Sequence, residues 1–239
     1  MTQLPVTRPF AAYVRRILLA VGFVAVSALC ASAQRHYKPH IHVGAHAGMS
    51  MSSTSFYPSV SESLLQGFQA GVSFRYAEER HVGLLAELNL TQRGWKENYD
   101  EYPFAYQRRL TYIELPVMTH IFFGSRVVKG FFNLGPQIGY MIGEKITSSF
   151  DYANAASVPG FPASHRTEQL AMKISNKFDY GITAGAGVEF TIARRNCIAL
   201  EGRYYYGLGN IFPSSKKDYF SSSRGSSILV TLSYMFRIK

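Results

Sequence analysis

The chain has 239 residues, of which 17 are Phe, 16 Tyr and 1 Trp, while only 17% are charged. So aromatic a composition excludes a disordered chain. A mean hydropathy of -0.03 alongside 47% hydrophobic residues means that apolar side chains are diluted by polar ones along the chain, which excludes a multi-pass helical membrane protein. The formal charge of +10 permits an anionic partner such as nucleic acid, anionic lipid or lipopolysaccharide without choosing among them.

The one long apolar run comes first. Arg8, Arg15 and Arg16 precede the stretch Ile17 to Leu29, and Ala31-Ser32-Ala33 follows Cys30. Basic flank, short apolar run and small-residue site predict a secretory signal peptide over residues 1–33, cleaved before Gln34. A membrane-spanning helix needs roughly 20 apolar residues, so this run is too short to be an anchor. The expected mature domain, 34–239, keeps 22 basic against 15 acidic residues and the single cysteine Cys197, so no internal disulfide holds it.

From His40 onward the hydropathy alternates with period 2. Residues 178–192 put Phe178, Tyr180, Ile182, Val188, Phe190 and Ile192 on one face and Asp179, Thr183, Glu189 and Thr191 on the other. No helix can use that pattern. Eight such segments are predicted, at about 40–50, 65–76, 82–95, 108–123, 130–145, 177–192, 197–209 and 226–238. Several exceed the roughly five or six residues of an ordinary strand and match a tilted crossing of a bilayer. Short links (77–81, 124–129, 193–196) alternate with long ones, the longest being 146–176. A soluble sandwich has no reason to sort its loops so; an outer-membrane barrel does, with tight periplasmic turns, longer outer loops and both termini periplasmic. Outward aromatics fall in two groups, with Phe68, Tyr140, Tyr180, Tyr204 and Tyr206 near the outer rim and Phe74, Tyr76, Phe123, Phe132, Phe190, Tyr234 and Phe236 near the other, as interfacial girdles require. The expected fold is therefore all-β, an eight-stranded antiparallel transmembrane β-barrel in the outer membrane of a Gram-negative bacterium.

The same parity places Glu87, Glu114, Asp179, Glu189 and Glu201 inside, with Arg75, Arg93, Lys145, Arg203 and Arg237. Eight strands enclose a space only wide enough for side chains, so these charges are expected to pair as a plug. A narrow polar conduit is the alternative, and it needs Gly135, Gly139, Gly181, Gly185 and Gly187 to leave a continuous gap. His42 and His46 share a face but stand four apart on a strand, about 13 Å, too far for one metal ion. His120 has no inward serine beside it, and His165 with Ser164 lacks an acid partner, so no catalytic group, cofactor or metal is expected. No phosphate-binding, dinucleotide or nucleic-acid motif appears. The basic balance is read as rim and loop charge facing lipid or lipopolysaccharide.

Two further elements stand out: Tyr112, Glu114 and Pro116 within Tyr-Ile-Glu-Leu-Pro, and Gly135, Pro136, Gln137, Gly139 and Tyr140 within Gly-Pro-Gln-Ile-Gly-Tyr. With the opening Val43-Gly-Ala-His-Ala-Gly48 they make the chain resemble the PorT-type outer-membrane β-barrel family over about residues 40–239. That resemblance implies an eight-stranded barrel without catalytic residues or cofactor, and a link to protein secretion across the outer membrane. Partners would then include secretion-machinery or surface proteins. Independently of the resemblance, the Tyr, Ser and Asn content of loops 96–107, 146–176 and 210–225 suits contact with partner proteins or surface glycans. Pro116 and Pro136 each remove a ladder donor, which predicts a bulge or register break there.

Overall fold

The computed structural model describes residues 39–238 apart from 78–80, 100, 101, 163, 164, 194 and 216. The predicted leader, 1–33, and Ser164 lie outside the described residues. Alternating apolar and polar residues produce long strands: β1 (His40–Tyr57), β3 (Leu65–Ala77), β4 (Val82–Glu97), β5 (Tyr106–Gly124), β6 (Val128–Ser148), β7 (Phe178–Ile192), β8 (Asn196–Gly207) and β9 (Ser222–Arg237), with a two-residue β2 (Glu62–Ser63) edging β4. The eight long strands pair antiparallel in chain order, β9 pairs with β1, and the ring closes. Closure gives every strand two neighbours and leaves no long edge unpaired, the requirement for strands in lipid. Among the described residues no helix is long and apolar enough to cross a membrane.

The barrel is apolar outside and polar inside. Leu88, Leu200 and Leu232 are more than half exposed, while Glu114, Asn133 and Thr183 are almost fully buried. The exposed rings Phe68, Tyr140, Tyr180, Tyr204 and Tyr206 lie toward the long loops, and Phe74, Phe123, Phe190 and Tyr234 toward the short turns. The start of β1 and the end of β9 lie beside each other, with His42 opposite Arg237, at the end where β3 leads into β4, β5 into β6 and β7 into β8.

Two departures from the sequence reading concern register. Pro116 and Pro136 interrupt the ladder pairing around them but do not shift it, since Pro116↔Gln137 and Thr119↔Leu134 keep one register. The shift lies farther on, between Thr111 and Tyr112, whose partners are Gly143 and Met141. Ile142 is the extra residue of a β-bulge. Because side chains alternate with period 2, one extra residue exchanges the two faces of everything beyond it. Lys145, expected inside, is therefore exposed on the outer face, and Glu144 takes the register position opposite buried Leu110, on the inner side. Strands also run beyond the lipid-facing band. On β4 the outward apolar residues stop at Leu90, and outward Gln92 and Lys96 follow.

Candidate functional site: the sealed interior and its cap

Inside the barrel the ionised side chains are arranged in three tiers. Nearest the long loops, Arg93 lies with Nε 3.1 Å from Glu114 and Nη2 2.6 Å from Asp179. Its guanidinium also stacks on Tyr112 at 3.9 Å and Tyr205 at 4.8 Å, where the ring faces add cation–π attraction. In the middle, Arg203 bridges Glu87 (2.7 Å) and Glu201 (2.8 Å). Toward the short turns, Arg75 pairs with Glu189, which Lys129 also reaches at 3.3 Å.

The upper two tiers each set two carboxylates on one guanidinium. The remaining carboxylate lone pairs in a low-dielectric interior need neutral donors. Thr91 donates to Glu114 (2.8 Å), Tyr205 to Asp179 (2.8 Å), Asn89 to Glu87 (3.1 Å) and Asn133 to Glu201 (2.9 Å). His46 lies 3.7 Å from Glu87 and hydrogen-bonds Ser73 at 2.8 Å. Asn133 joins the middle and lower tiers, because its Oδ1 lies 2.7 Å from Nδ1 of His120, which also contacts Arg75.

Of the ten predicted interior residues seven are almost fully buried, and Asp179 joins them through Arg93 and Tyr205. Arg237 sits half-buried at the turn end, bonded to His40. Lys129 and the pair Arg108–Glu144 (2.5 Å) were not in the predicted set. Lys129 shares odd parity with Phe131 and Asn133, a signal available in the sequence; Glu144 faces inward only because of the bulge.

The glycines that a conduit would need do not leave a gap. A Cβ at Gly181 would meet the Tyr205 ring, at Gly185 the Glu201 carboxylate, at Gly187 the Phe131 ring, at Gly135 the Val117 carbonyl, and at Gly139 the Arg93 guanidinium and Glu114. Neighbouring side chains and backbone occupy the space that the missing side chains leave. Level with Arg75 of the lowest tier, Leu85 and Met118 form an apolar cluster with Cys197 and Met235.

Above them the long loops fold into a cap with a core of its own. Phe56 and Trp95, from the strand ends, pack with Phe212 and Phe220 of the last loop. Tyr99, Phe104, Phe150 and Phe161 form a second aromatic group with centroid separations of 5.4 to 6.0 Å, within the range of favourable ring contacts. The longest loop holds a 3-10 turn (Tyr152–Ser157) and the short helix α1 (Glu168–Ala171). Three barrel side chains grip α1 and its flank. Arg108 donates to the carbonyls of Gln169 and Met172, Tyr106 to that of Leu170, and Glu97 accepts from Gln169 at 2.8 Å. Gly94 makes the close approach of β4 and β5 here possible, with a φ of +155° and a Cβ position blocked by the Arg108 carbonyl.

Glu97 lies seven residues past Leu90, well outside the lipid-facing band, as does Glu62, its partner across β2 and β4. Burial pushes both carboxyls up to about 7. Hydrogen bonds from Gln169 and Tyr99 oppose the shift at Glu97, and the Thr54 amide opposes it at Glu62. Between cap and upper tier a void of about 20 Å³, lined by Ser52, Thr54, Arg93, Tyr112 and Asp179 among others, has room for a single water.

A greasy wall, paired ions within it, and one rim of short turns against one of long loops are the signature of an outer-membrane barrel. Residues 32–213 match the family described as outer membrane protein beta-barrel domain. The chain belongs to that family. Its place is thus the outer membrane of a Gram-negative bacterium. Among solved structures, this outer-membrane barrel is similar to OprG from Pseudomonas aeruginosa. Identity is 8% and the TM-score 0.51, over 84% of this chain and 95% of that one. A second similar structure is Ail of Yersinia pestis in complex with the heparin analogue sucrose octasulfate (13% identity, TM-score 0.38, 82% and 99% covered). A third is the outer membrane enzyme PagL (12%, 0.39, 80% and 98%). At such identities the likeness to OprG is one of fold alone. No curated protein sequence matches the chain.

Proposed function

We propose that this barrel is a non-catalytic surface protein, closed to solutes, whose folded cap is the part that meets partner proteins or surface glycans. The observation that supports it most is the filled lumen, in which three ion-pair tiers lie beneath an aromatic cap and Leu85, Met118, Cys197 and Met235 pack beside the lowest of them. Fixed charges neutralised in place leave no mobile water column, and cap residues held by Arg108, Tyr106 and Glu97 make a defined surface instead of loose loops. His120, the inward imidazole considered for catalysis, is engaged by Asn133 and Arg75, and His165 stacks on Tyr99 at 4.8 Å. These engagements support a structural role for both. Purified protein in a planar bilayer is expected to give no stable single-channel openings. Reproducible openings would favour the alternative of a small-solute pore.

A second reading, service to protein secretion within a PorT-type subgroup, is favoured by the two motif elements. Glu114 pairs with Gly139 and Pro116 with Gln137 across β5 and β6, so Tyr-Ile-Glu-Leu-Pro and Gly-Pro-Gln-Ile-Gly-Tyr form one two-strand unit. Quantitative comparison of secreted and periplasmic proteins in cells with and without the chain tests it. Periplasmic accumulation of normally secreted proteins is the expected result; unchanged pools would remove the secretion role.

A further inference from the structure

The bulge at Ile142 also shapes the outside of the barrel. It turns Lys145 outward, directly opposite Arg109 of β5 in the ladder. Arg109 in turn faces Gly94 of β4, and Lys96 lies two residues farther along the same strand. Three adjacent strands thus carry three cations on one outer face. Like charges directly opposite each other in a sheet repel, and among the described residues none of the three has a salt bridge. Glu144, next to Lys145, is held by Arg108. Arg109 donates Nη2 to the Gln66 carbonyl at 3.3 Å, and its buried Nε has no partner. Beside the cations a cleft of about 320 Å³ is lined by Lys96, Gln107, Thr147 and Ser149, among others.

The height of this patch identifies what it meets. The outward apolar residues end at Leu90, Ile113 and Ile142 on the three strands. The cations follow three to six residues later. At about 3.3 Å per residue on strands tilted about 40°, that is roughly 8 to 15 Å past the hydrocarbon edge, where the outer leaflet presents its headgroups.

We propose that Lys96, Arg109 and Lys145 bind the phosphate groups of an outer-leaflet glycolipid headgroup, with the Gln107, Thr147 and Ser149 side chains bonding its sugar hydroxyls. The anion relieves the Arg109–Lys145 repulsion, and Arg presents a fork suited to phosphate. The inference rests on the outer-membrane placement and is independent of whether the lumen conducts.

The test uses the full chain in phosphatidylcholine nanodiscs, titrated with doubly phosphorylated lipid A and with the same lipid after phosphate removal. A triple variant, Lys96→Gln with Arg109→Gln and Lys145→Gln, is compared with a control of equal charge loss in the loops, Lys173→Gln with Lys177→Gln and Lys217→Gln. Each surface cation near anionic lipid contributes about fivefold, so the triple variant is expected to bind roughly 100-fold more weakly. The control stays within about twofold of the parent, and the dephosphorylated lipid loses the same advantage on the parent. The single Lys145→Gln variant, whose side chain is exposed, is expected to lose about fivefold and guards against a triple variant that fails to fold. Parent-like binding by the triple and single variants would overturn the site. So would equal weakening by both triples, which means diffuse charge, or full displacement of the lipid by millimolar inorganic phosphate, which means a free-anion site.

Discussion

The barrel lumen and the cap above it are both densely filled, but by opposite chemistry. In the lumen the wall supplies the seal from lipid and the contents are ions, with Arg93, Arg203 and Arg75 each reaching across the barrel to a carboxylate, Asp179, Glu87 and Glu189 respectively. Around the cap no hydrocarbon lies outside, and the contents are rings, with Phe56, Trp95, Phe212 and Phe220 buried as in a small soluble protein. Each region is the inverse of its surroundings: polar atoms inside where hydrocarbon lies outside, apolar atoms inside where water lies outside. Tyr112 joins the two, packing in the cap core while its ring covers Arg93.

The comparison breaks most sharply at Arg203. Replacing it with Met leaves Glu87 and Glu201 buried without their cation, which is expected to cost about 3–5 kcal/mol. Urea unfolding in lipid vesicles, read by the heat-modifiable mobility of the folded barrel, measures this loss. Adding Glu87→Gln and Glu201→Gln to Arg203→Met is expected to recover most of it, because the cost lies in stranded charge and not in lost volume. A triple variant as unstable as the single one would show that packing governs the lumen as well.

The matching cut in the cap is Phe212→Ala. The side chain is fully buried and stacks with Phe56 and Phe220 at about 6 Å, so its removal is expected to cost about 3 kcal/mol locally. Limited proteolysis should then cleave the loop 208–221 faster while the barrel's urea midpoint stays put. A fall in that midpoint equal to the Arg203 effect would mean that cap and barrel are one cooperative unit.

How far these two regions could be read in advance differs for a physical reason. Strand alternation is local, so period 2 alone locates β3, β4, β7 and β8 to within about two residues and sorts Glu87 from Leu88 or Arg203 from Tyr204. A bulge is decided by the neighbouring strand. Nothing within residues 130–145 marks Ile142 as the extra residue, so Lys145 was placed inside and Glu144 overlooked. The cap is less local still, since Phe56, Trp95, Phe212 and Phe220 come from three separate stretches of chain. The loops were read through their Tyr, Ser and Asn as contact surfaces, although Phe104, Phe150, Phe161, Phe212 and Phe220 within them already called for a core. The loop ends of β1, β4, β5, β6 and β9 extend past the alternating segments, because beyond the lipid band the outward residues turn polar and the alternation fades.

A finer probe of the lumen is Thr91→Val, which keeps shape but removes the donor to Glu114. One hydrogen bond to a buried carboxylate is expected to be worth about 1–3 kcal/mol, less than the loss of Arg203 because Arg93 still neutralises the site. The same urea experiment measures it. No change in midpoint would show that the ion pair alone satisfies Glu114.

The smallest effect, and the one confined to the cap, is its response to pH. Glu97 and Glu62 have carboxyls raised by burial from 4.5 to about 7. A raised carboxyl favours the folded cap in its protonated form. That contribution is complete below the ordinary carboxylate value and is lost as pH rises through about 7, when two facing carboxylates ionise among aromatic rings. The cap is therefore expected to loosen on the alkaline side, opposite to the acid sensitivity usual for paired carboxylates. Trp95, the chain's single tryptophan, is fully buried two residues from Glu97, so its emission should shift to the red between about pH 6 and pH 8. Glu97→Gln, which keeps a neutral acceptor for Gln169, is expected to flatten that transition and leave the barrel's mobility on gels unchanged. A parent emission spectrum constant over this range would mean that Arg108 and Tyr106 hold α1 in place whatever the charge on Glu97.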